Sequence, residues 1–109
     1  MDEIKRSGEA PEKADFAVRL TGQELSPYFR KGEVAYFKKN ADFCDGDVGL
    51  FLARGKSVIR QYCEDSEGGV YLFAVNRRLR RLDLRLGREE SIVSIGKLIT
   101  EETIPLPEM

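Results

Sequence analysis

Few residues of this chain of 109 have side chains that could carry out covalent chemistry. It has no histidine, which excludes Ser-His and Cys-His catalysis, histidine-ligated zinc and a histidine-based pH switch. Two cysteines, Cys44 and Cys63, are too few for a disulfide framework, and we interpret them as reduced, mostly buried side chains. A redox switch is the alternative, and it requires the two thiols to lie close together. We predict neither a metal site nor a cofactor.

Arginine is the other residue type whose spacing suggests chemistry. Residues 77–81 read RRLRR, and Arg85 and Arg88 follow. Because guanidinium groups bind phosphate well, a phosphate-contacting loop is one interpretation. We favour a solvated hairpin loop or a self-association rim, since the net charge is -1 and acidic residues flank the run.

The elements that must position these residues are short strands. Apolar or alternating stretches separated by turn signals predict strands over residues 16–20, 33–38, 48–53, 57–62, 70–75, 82–86 and 91–100. About seven short strands at this spacing are typical of an all-β sandwich or barrel. We predict a domain over residues 15–104, preceded by a flexible arm or linker (1–14) and followed by a tail (105–109) in which prolines prevent regular structure.

Composition restricts the partners and the location. A net charge of -1 gives no global attraction to nucleic acid or to an anionic membrane. No apolar run approaches the roughly 20 residues of a membrane span. The first residues are polar and charged, without the apolar centre of a signal peptide, so we expect a cytoplasmic protein that does not contact a membrane.

The segment 16–27, FAVRLTGQELSP, resembles the nucleophile segment of the LexA-like self-cleaving repressors, whose C-terminal domain has a serine peptidase S24-like fold. In that family a strand of type F-A-x-x-V is followed by G-D-S-M-x-P. Gly22 and Pro27 stand at the glycine and the proline, and Leu25 stands at the methionine. Glu24 occupies the position of the serine.

Four further segments extend the resemblance over residues 15–100, in the same order as in the family. They are residues 30–34 (x-x-G-D-x-V), 43–48 (R-D-G-D-I/V), 55–62 (the strand of the catalytic lysine) and 70–76 (V-x-L-x-P-x-N, with Asn76 at the asparagine). The resemblance implies a mostly all-β fold of LexA/signal-peptidase-like coiled antiparallel sheets.

The family's chemistry uses a serine nucleophile and a lysine that must be neutral to accept its proton. Counting from Gly55, Arg60 stands at the lysine, and a register shift of one residue would place Ile59 or Gln61 there. A guanidinium stays protonated at physiological pH, so Arg60 cannot act as the general base. We therefore predict a degenerate dyad without catalytic residues, in which Glu24 and Arg60 form an ion pair within about 4 Å.

Other residues of the nucleophile-like segment are candidates for lining the remnant cleft: Gly22, Gln23, Leu25, Ser26 and Tyr28. Ser26 could be proposed as a displaced nucleophile. A hydroxyl that bonds to the local backbone of a turn is the preferred interpretation, because serine commonly does this in turns.

The resemblance implies the non-catalytic C-terminal domain of a helix-turn-helix transcriptional regulator, which serves dimerisation and, as a further role, signal sensing. We expect a homodimer, with residues 91–100 and the tail as the self-contact. DNA would be contacted through an upstream domain that this chain does not contain. The alternatives are an active self-cleaving serine peptidase of the same family and a nucleic-acid-binding β-barrel that uses the arginine run.

Overall fold

The structure, a computed structural model, describes residues 2–4 and 13–108, with the backbone alone for residues 2–4. Within these residues the secondary structure consists of eight strands and a 3-10 helix, Arg77–Leu82. The strands are β1 (Asp2–Ile4), β2 (Phe16–Arg19), β3 (Val34–Lys38), β4 (Val48–Ala53), β5 (Lys56–Glu64), β6 (Val70–Phe73), β7 (Leu84–Leu86) and β8 (Ile92–Leu98).

The described strands form a single sheet in the order β1-β2-β3-β8-β4-β5-β6-β7. Neighbouring strands pair antiparallel, and only β8 departs from chain order, because it inserts between β3 and β4. The predicted all-β class with antiparallel pairing is confirmed. The strand β8 thereby joins the N-terminal strands to the strands β4 to β7. The chain between β2 and β3 contains the nucleophile-like turn, residues 22–29.

The central strand β4 buries both of its faces, as its apolar sequence VGLFLA predicts. Val48 and Leu50 contribute to the main core, whereas Phe51 and Ala53 contribute to a second cluster. The position of Gly49 requires glycine, since a Cβ atom there would lie 2.5 Å from the Phe43 ring. The sheet therefore has apolar packing on both sides of its centre.

The main core lies under the N-terminal strands and holds the nucleophile-like turn. The rings of Phe16 and Phe37 stack there with centroids 5.3 Å apart. The buried members of this core are Phe16, Val18, Leu20, Leu25, Ala35, Phe37, Val48, Leu50, Ile59, Val75 and Leu98. Leu25 belongs to the turn, so burial of its side chain fixes the turn against the sheet.

The observed elements differ from the predicted ones at several ends. β4 matches the prediction at both ends, but β8 covers Ile92–Leu98 rather than residues 91–100. Part of the predicted arm, Asp2–Ile4, is a strand that pairs with β2, and residues 5–12 lie outside the described residues. The boundaries of arm, domain and tail stay predictions. No helix in residues 2–4 and 13–108 is long and apolar enough to cross a membrane.

The arginine run is a 3-10 helix and not the predicted loop. Asn76 precedes it, and its side-chain oxygen accepts a hydrogen bond from the backbone N–H of Arg78. Asparagine is a favoured residue at this position because it satisfies an otherwise free N–H of the first turn. This cap and the Asp83 contacts described below stabilise the short helix.

Candidate functional site

The nucleophile-like turn is anchored by Leu25. The Leu25 side chain is fully buried, and its carbonyl oxygen accepts hydrogen bonds from the N–H groups of Tyr28 and Phe29, both at 2.9 Å. Ser26 donates its backbone N–H to the carbonyl of Gln23 at 3.1 Å. These local bonds close the turn on itself, so the position of Glu24 is determined by its neighbour in the core.

The carboxylate of Glu24 folds back over Gly22. A Cβ atom at residue 22 would lie 3.0 Å from Glu24 Oε2, so any larger residue would displace this carboxylate. Glu24 Oε1 is buried and has no hydrogen-bond partner among the described residues. A buried carboxylate oxygen without a donor is unfavourable, because it has lost its water and gained nothing in return.

Arg60 lies in β5 opposite Gly49 of β4, and only 9% of its surface is exposed. Its Nη1 donates to the carbonyl of Ile59 at 2.8 Å. Its Nε is buried without a partner in the described part of the chain. Burial lowers the pKa of the Arg60 guanidinium, and the charges of Asp83 and Glu24 offset only part of that effect.

Glu24 and Arg60 line one cavity of about 210 Å³. The rest of its wall is mostly apolar and comes from β5, from the end of β6 and from the 3-10 helix: Ser57, Val58, Ile59, Ala74, Leu79 and Leu82. The structure therefore brings together the two positions that the resemblance assigns to the dyad.

The predicted ion pair between these two residues is wrong. Among the ion pairs of residues 13–108, none joins Glu24 to Arg60 within 4.0 Å. Arg60 uses Nη1 for a neighbouring carbonyl, and the Glu24 carboxylate lies against Gly22 instead. The negative charge of Glu24 still raises the pKa of Arg60, although no ion pair joins the two residues.

Asn76 connects the turn to the wall of the cavity. Its side-chain Nδ2 donates to the Gln23 carbonyl at 3.0 Å, while its Oδ1 caps the 3-10 helix. The side chain is nearly buried, so both contacts are made away from bulk water. A motif position identified Asn76 in the sequence, but this bridging role depends on a contact over 53 residues.

A second arginine near the cavity is fully paired. Arg77 binds both carboxylate oxygens of Asp83 at 2.9 Å, and Asp83 Oδ1 also accepts the backbone N–H of Ala74 at 2.8 Å. The Asp83 hydrogen bonds raise the pKa of Arg77. Sequence reasoning missed this pair because it treated residues 77–81 as one basic loop. The acidic residue directly after the helix was the available signal.

The other cleft candidates lie elsewhere. Leu25 is in the main core, and Gln23 is exposed with its carbonyl bound to Asn76. Ser26 is half-buried and precedes a cis bond to Pro27. Tyr28 lines a different cavity, which Phe29, Glu33 and residues 99–102 also line.

The two register alternatives for the lysine position also have clear environments. Ile59 is buried in the main core and lines the cavity with Arg60. Gln61 is buried, and its Nε2 donates to the carbonyls of Gly46 at 3.0 Å and Ile104 at 2.7 Å. Gln61 thus fastens the C-terminal segment to the sheet.

The cysteines are both free, and the interpretation of both as buried is wrong for Cys44. Cys44 is exposed because it lies in the turn before β4, where its N–H donates to Asp47 Oδ2. Cys63 is half-buried, and burial raises the pKa of its thiol. A raised pKa leaves less of the reactive thiolate at neutral pH.

The chemistry of the cavity follows from the side chains that line it. They include one hydroxyl group, that of Ser57. No lysine, histidine or cysteine is among the described residues that line the cavity. Arginine does not accept a proton from a serine, since its guanidinium group stays protonated in proteins. The arrangement is suited to holding charged groups rather than to transferring protons.

Comparison with known proteins agrees with the fold. A protein-family model described as Peptidase S24-like matches residues 3–99, which is most of the chain. The match begins in β1 and ends just after β8, and it includes Glu24 and Arg60. A search of curated proteins found no match to this chain.

Proposed function

Because the chain belongs to the Peptidase S24-like family, we propose that it is a non-catalytic member serving as the C-terminal dimerisation domain of a helix-turn-helix transcriptional regulator. The observation that supports this proposal is the cavity that Glu24 and Arg60 line together, since the sequence resemblance assigns these two residues to the positions of the catalytic serine and lysine. Any contact with DNA would be made by a helix-turn-helix domain of the same regulator.

The residues at the site are unsuited to peptide hydrolysis. A carboxylate attacks an amide poorly, and Arg60 is no base for activating a neighbouring hydroxyl. Ser57 supplies the hydroxyl of the cavity lining, but it is exposed at the start of β5, and the basic side chain that lines the cavity with it is the guanidinium of Arg60. Two unsuitable side chains at one dyad support the loss of catalysis more strongly than one would.

The proposed dimer contact includes an apolar patch on β4 and β8. Val93 is 53% exposed and Leu52 is 41% exposed, and these two residues pair across the strands. Val93 lies within the predicted self-contact of residues 91–100. In a two-fold dimer the same patch faces itself, so the two apolar side chains of one subunit would be covered by those of the partner.

Sedimentation equilibrium tests the dimer. We expect a dimer at micromolar concentration and a weaker one for Val93→Glu, because that variant places a charge at the centre of the contact. Ser66→Glu adds the same charge in an exposed turn away from the patch and should leave the dimer unchanged. A wild-type monomer at high concentration, or equal weakening by both variants, would overturn the proposed contact.

A fluorophosphonate probe separates this proposal from the alternative of an active serine peptidase. Such probes label serines that a base has activated. We expect no labelling of the native protein at neutral pH beyond that of the heat-unfolded protein. Labelling of Ser26 or Ser57 in the native protein only would support the peptidase and contradict the proposal.

A further inference from the structure

We propose that the cavity lined by Glu24 and Arg60 binds a small zwitterion, of the class of α-amino acids with an apolar side chain. The inference rests on the proposed function, because it assigns a ligand to the same degenerate site. It would make the domain a sensor as well as a dimerisation module.

Unpaired buried atoms of opposite charge point to a ligand. Glu24 Oε1 and Arg60 Nε are each buried without a hydrogen-bond partner in the described residues, and the two residues line the same cavity. Buried polar atoms in folded proteins nearly always have partners, and exceptions commonly mark functional sites. The two groups are not each other's partner, since no contact of 4.0 Å or less joins them within residues 13–108.

Contacts with other residues keep the two charged groups from pairing. Arg60 is held in β5, with Nη1 on the Ile59 carbonyl at 2.8 Å, and the Glu24 carboxylate rests against Gly22. Leu25 and Asn76 fix the turn that carries Glu24 to the core and to the 3-10 helix. The separation of the two charged groups is therefore part of the folded structure.

The signs of the charges select the ligand. Arg60 requires an acceptor, best supplied by a carboxylate, and Glu24 requires a donor, best supplied by an ammonium group. An α-amino acid carries both groups on one carbon and is neutral overall. A simple anion would leave Glu24 unpaired and would be repelled by its negative charge. A simple cation would leave Arg60 unpaired and would be repelled by its positive charge.

The rest of the cavity selects an apolar side chain of modest size. Val58, Ile59, Ala74, Leu79 and Leu82 form the apolar part of the wall. The volume of about 210 Å³ is below the range of roughly 300–1,000 Å³ typical of sites for drug-sized ligands. Leucine and similar amino acids have the size and the combination of charged head and apolar tail that this cavity can accept.

Calorimetric titration of the full chain with L-leucine tests the proposal. 4-Methylpentanoate lacks the ammonium group, 3-methylbutylamine lacks the carboxylate, and L-leucinamide replaces the carboxylate by a neutral amide. We expect L-leucine to bind and each analogue to bind about tenfold or more weakly, because each leaves one buried charge without its partner. An analogue that binds as well as leucine would overturn the assignment of a zwitterion.

Glu24→Gln tests the site without disturbing the buried strand, because residue 24 is in a turn. We expect the affinity for L-leucine to fall about tenfold or more, while the affinity for 4-methylpentanoate is unchanged or increased, since the repelling charge is gone. Glu101→Gln, which removes an exposed carboxylate outside the cavity, should bind leucine like the wild type. An unchanged affinity of Glu24→Gln for leucine would overturn the proposal.

Failure of this inference is distinguishable from failure of the proposed function. No leucine binding up to about 10 mM by a protein that sediments as a dimer would mean that water alone fills the cavity, and it would overturn the ligand proposal by itself. A monomeric protein would instead overturn the dimerisation function, whether or not leucine binds.

Discussion

Two arginines near the cavity, Arg77 and Arg60, occupy contrasting environments. Arg77 is partly exposed and makes two hydrogen bonds of 2.9 Å to Asp83, which raise its pKa. Arg60 is buried, and its pKa is lowered by burial, while the nearest carboxylates act on it only from a distance. Asp83 raises the pKa of both arginines. It acts on Arg77 through direct hydrogen bonds and on Arg60 through its charge.

The difference distinguishes a structural ion pair from a site. Arg77 and Asp83 are hydrogen-bonded to each other, and the bond from the Ala74 N–H to Asp83 connects the end of the 3-10 helix to the end of β6. The Glu24 and Arg60 pair is held apart by contacts that each residue makes elsewhere. A pair that evolved only for stability would be expected to touch, because unpaired buried charge is costly. The gap is what the proposed ligand explains.

Removal of Asp83 should have the largest effect. Asp83→Ala removes both hydrogen bonds between Arg77 and the carboxylate and leaves the backbone N–H of Ala74 without its acceptor, so the free energy of unfolding should fall by about 2–3 kcal/mol. Urea unfolding measures it. Asp42→Ala, at an exposed position, is the control and should change stability by less than about 0.5 kcal/mol. Equal effects of the two variants would mean that the Asp83 contacts add nothing.

Removal of the bridge between turn and helix should have the next largest effect. Asn76→Ala loses the cap of the 3-10 helix and the bond to the Gln23 carbonyl, and we expect a loss of about 1–2 kcal/mol in urea unfolding. Asn76→Asp keeps the capping oxygen but not the Nδ2 donor, so it should recover part of that loss. Full recovery would contradict a role for the bond to the turn.

Exchange of each arginine for methionine should change the stability of the protein differently at the two positions. Arg60→Met replaces a buried, unpaired charge by an apolar chain, so stability without ligand should stay the same or rise by up to about 1 kcal/mol. Arg77→Met should lower stability by roughly 1 kcal/mol, because Asp83 loses its partner. Thermal unfolding of the two variants measures this. Destabilisation by Arg60→Met as large as by Arg77→Met would remove the contrast.

A third arginine, Arg85, provides the smallest effect and a pH dependence. Hydrogen bonds from Arg85 at the protein surface lower the pKa of Asp65 below its usual 3.8. A lowered folded-state pKa contributes stability that is present above about pH 4 and lost as the pH falls through the folded value. Asp65→Asn should therefore flatten the decline in stability below that pH. An unchanged acid profile would show that this surface pair contributes nothing measurable.

The fold could be predicted from the sequence where one side-chain pattern dominated. The apolar run of β4 and the turn signals on either side of it placed that strand correctly at both ends. The strand β1, DEI, has no such pattern. It forms through backbone pairing with β2, which is distant in the sequence, so its own residues do not predict it. The 3-10 helix was missed for a similar reason, since Asn76 and Asp83 stabilise it from outside the arginine run.

The candidate site could be predicted as a set of residues but not as a geometry. Motif positions brought Glu24 and Arg60 together, and both line one cavity. Their opposite charges predicted a direct contact between them. In the structure Arg60 donates to the Ile59 carbonyl, and the Glu24 carboxylate lies against Gly22. Distances of this kind depend on where a turn and a strand are fixed in the core, and that information is not local in the sequence.

The central claim, that this S24-like domain does not cut peptide bonds, is tested most directly by the intact mass of the purified chain after prolonged incubation. Incubation between about pH 7 and pH 10 covers the range in which a lysine base would become neutral and support self-cleavage. We predict one unchanged mass at every pH. Two fragments whose masses sum to that of the chain plus one water, appearing faster as the pH rises, would contradict the account.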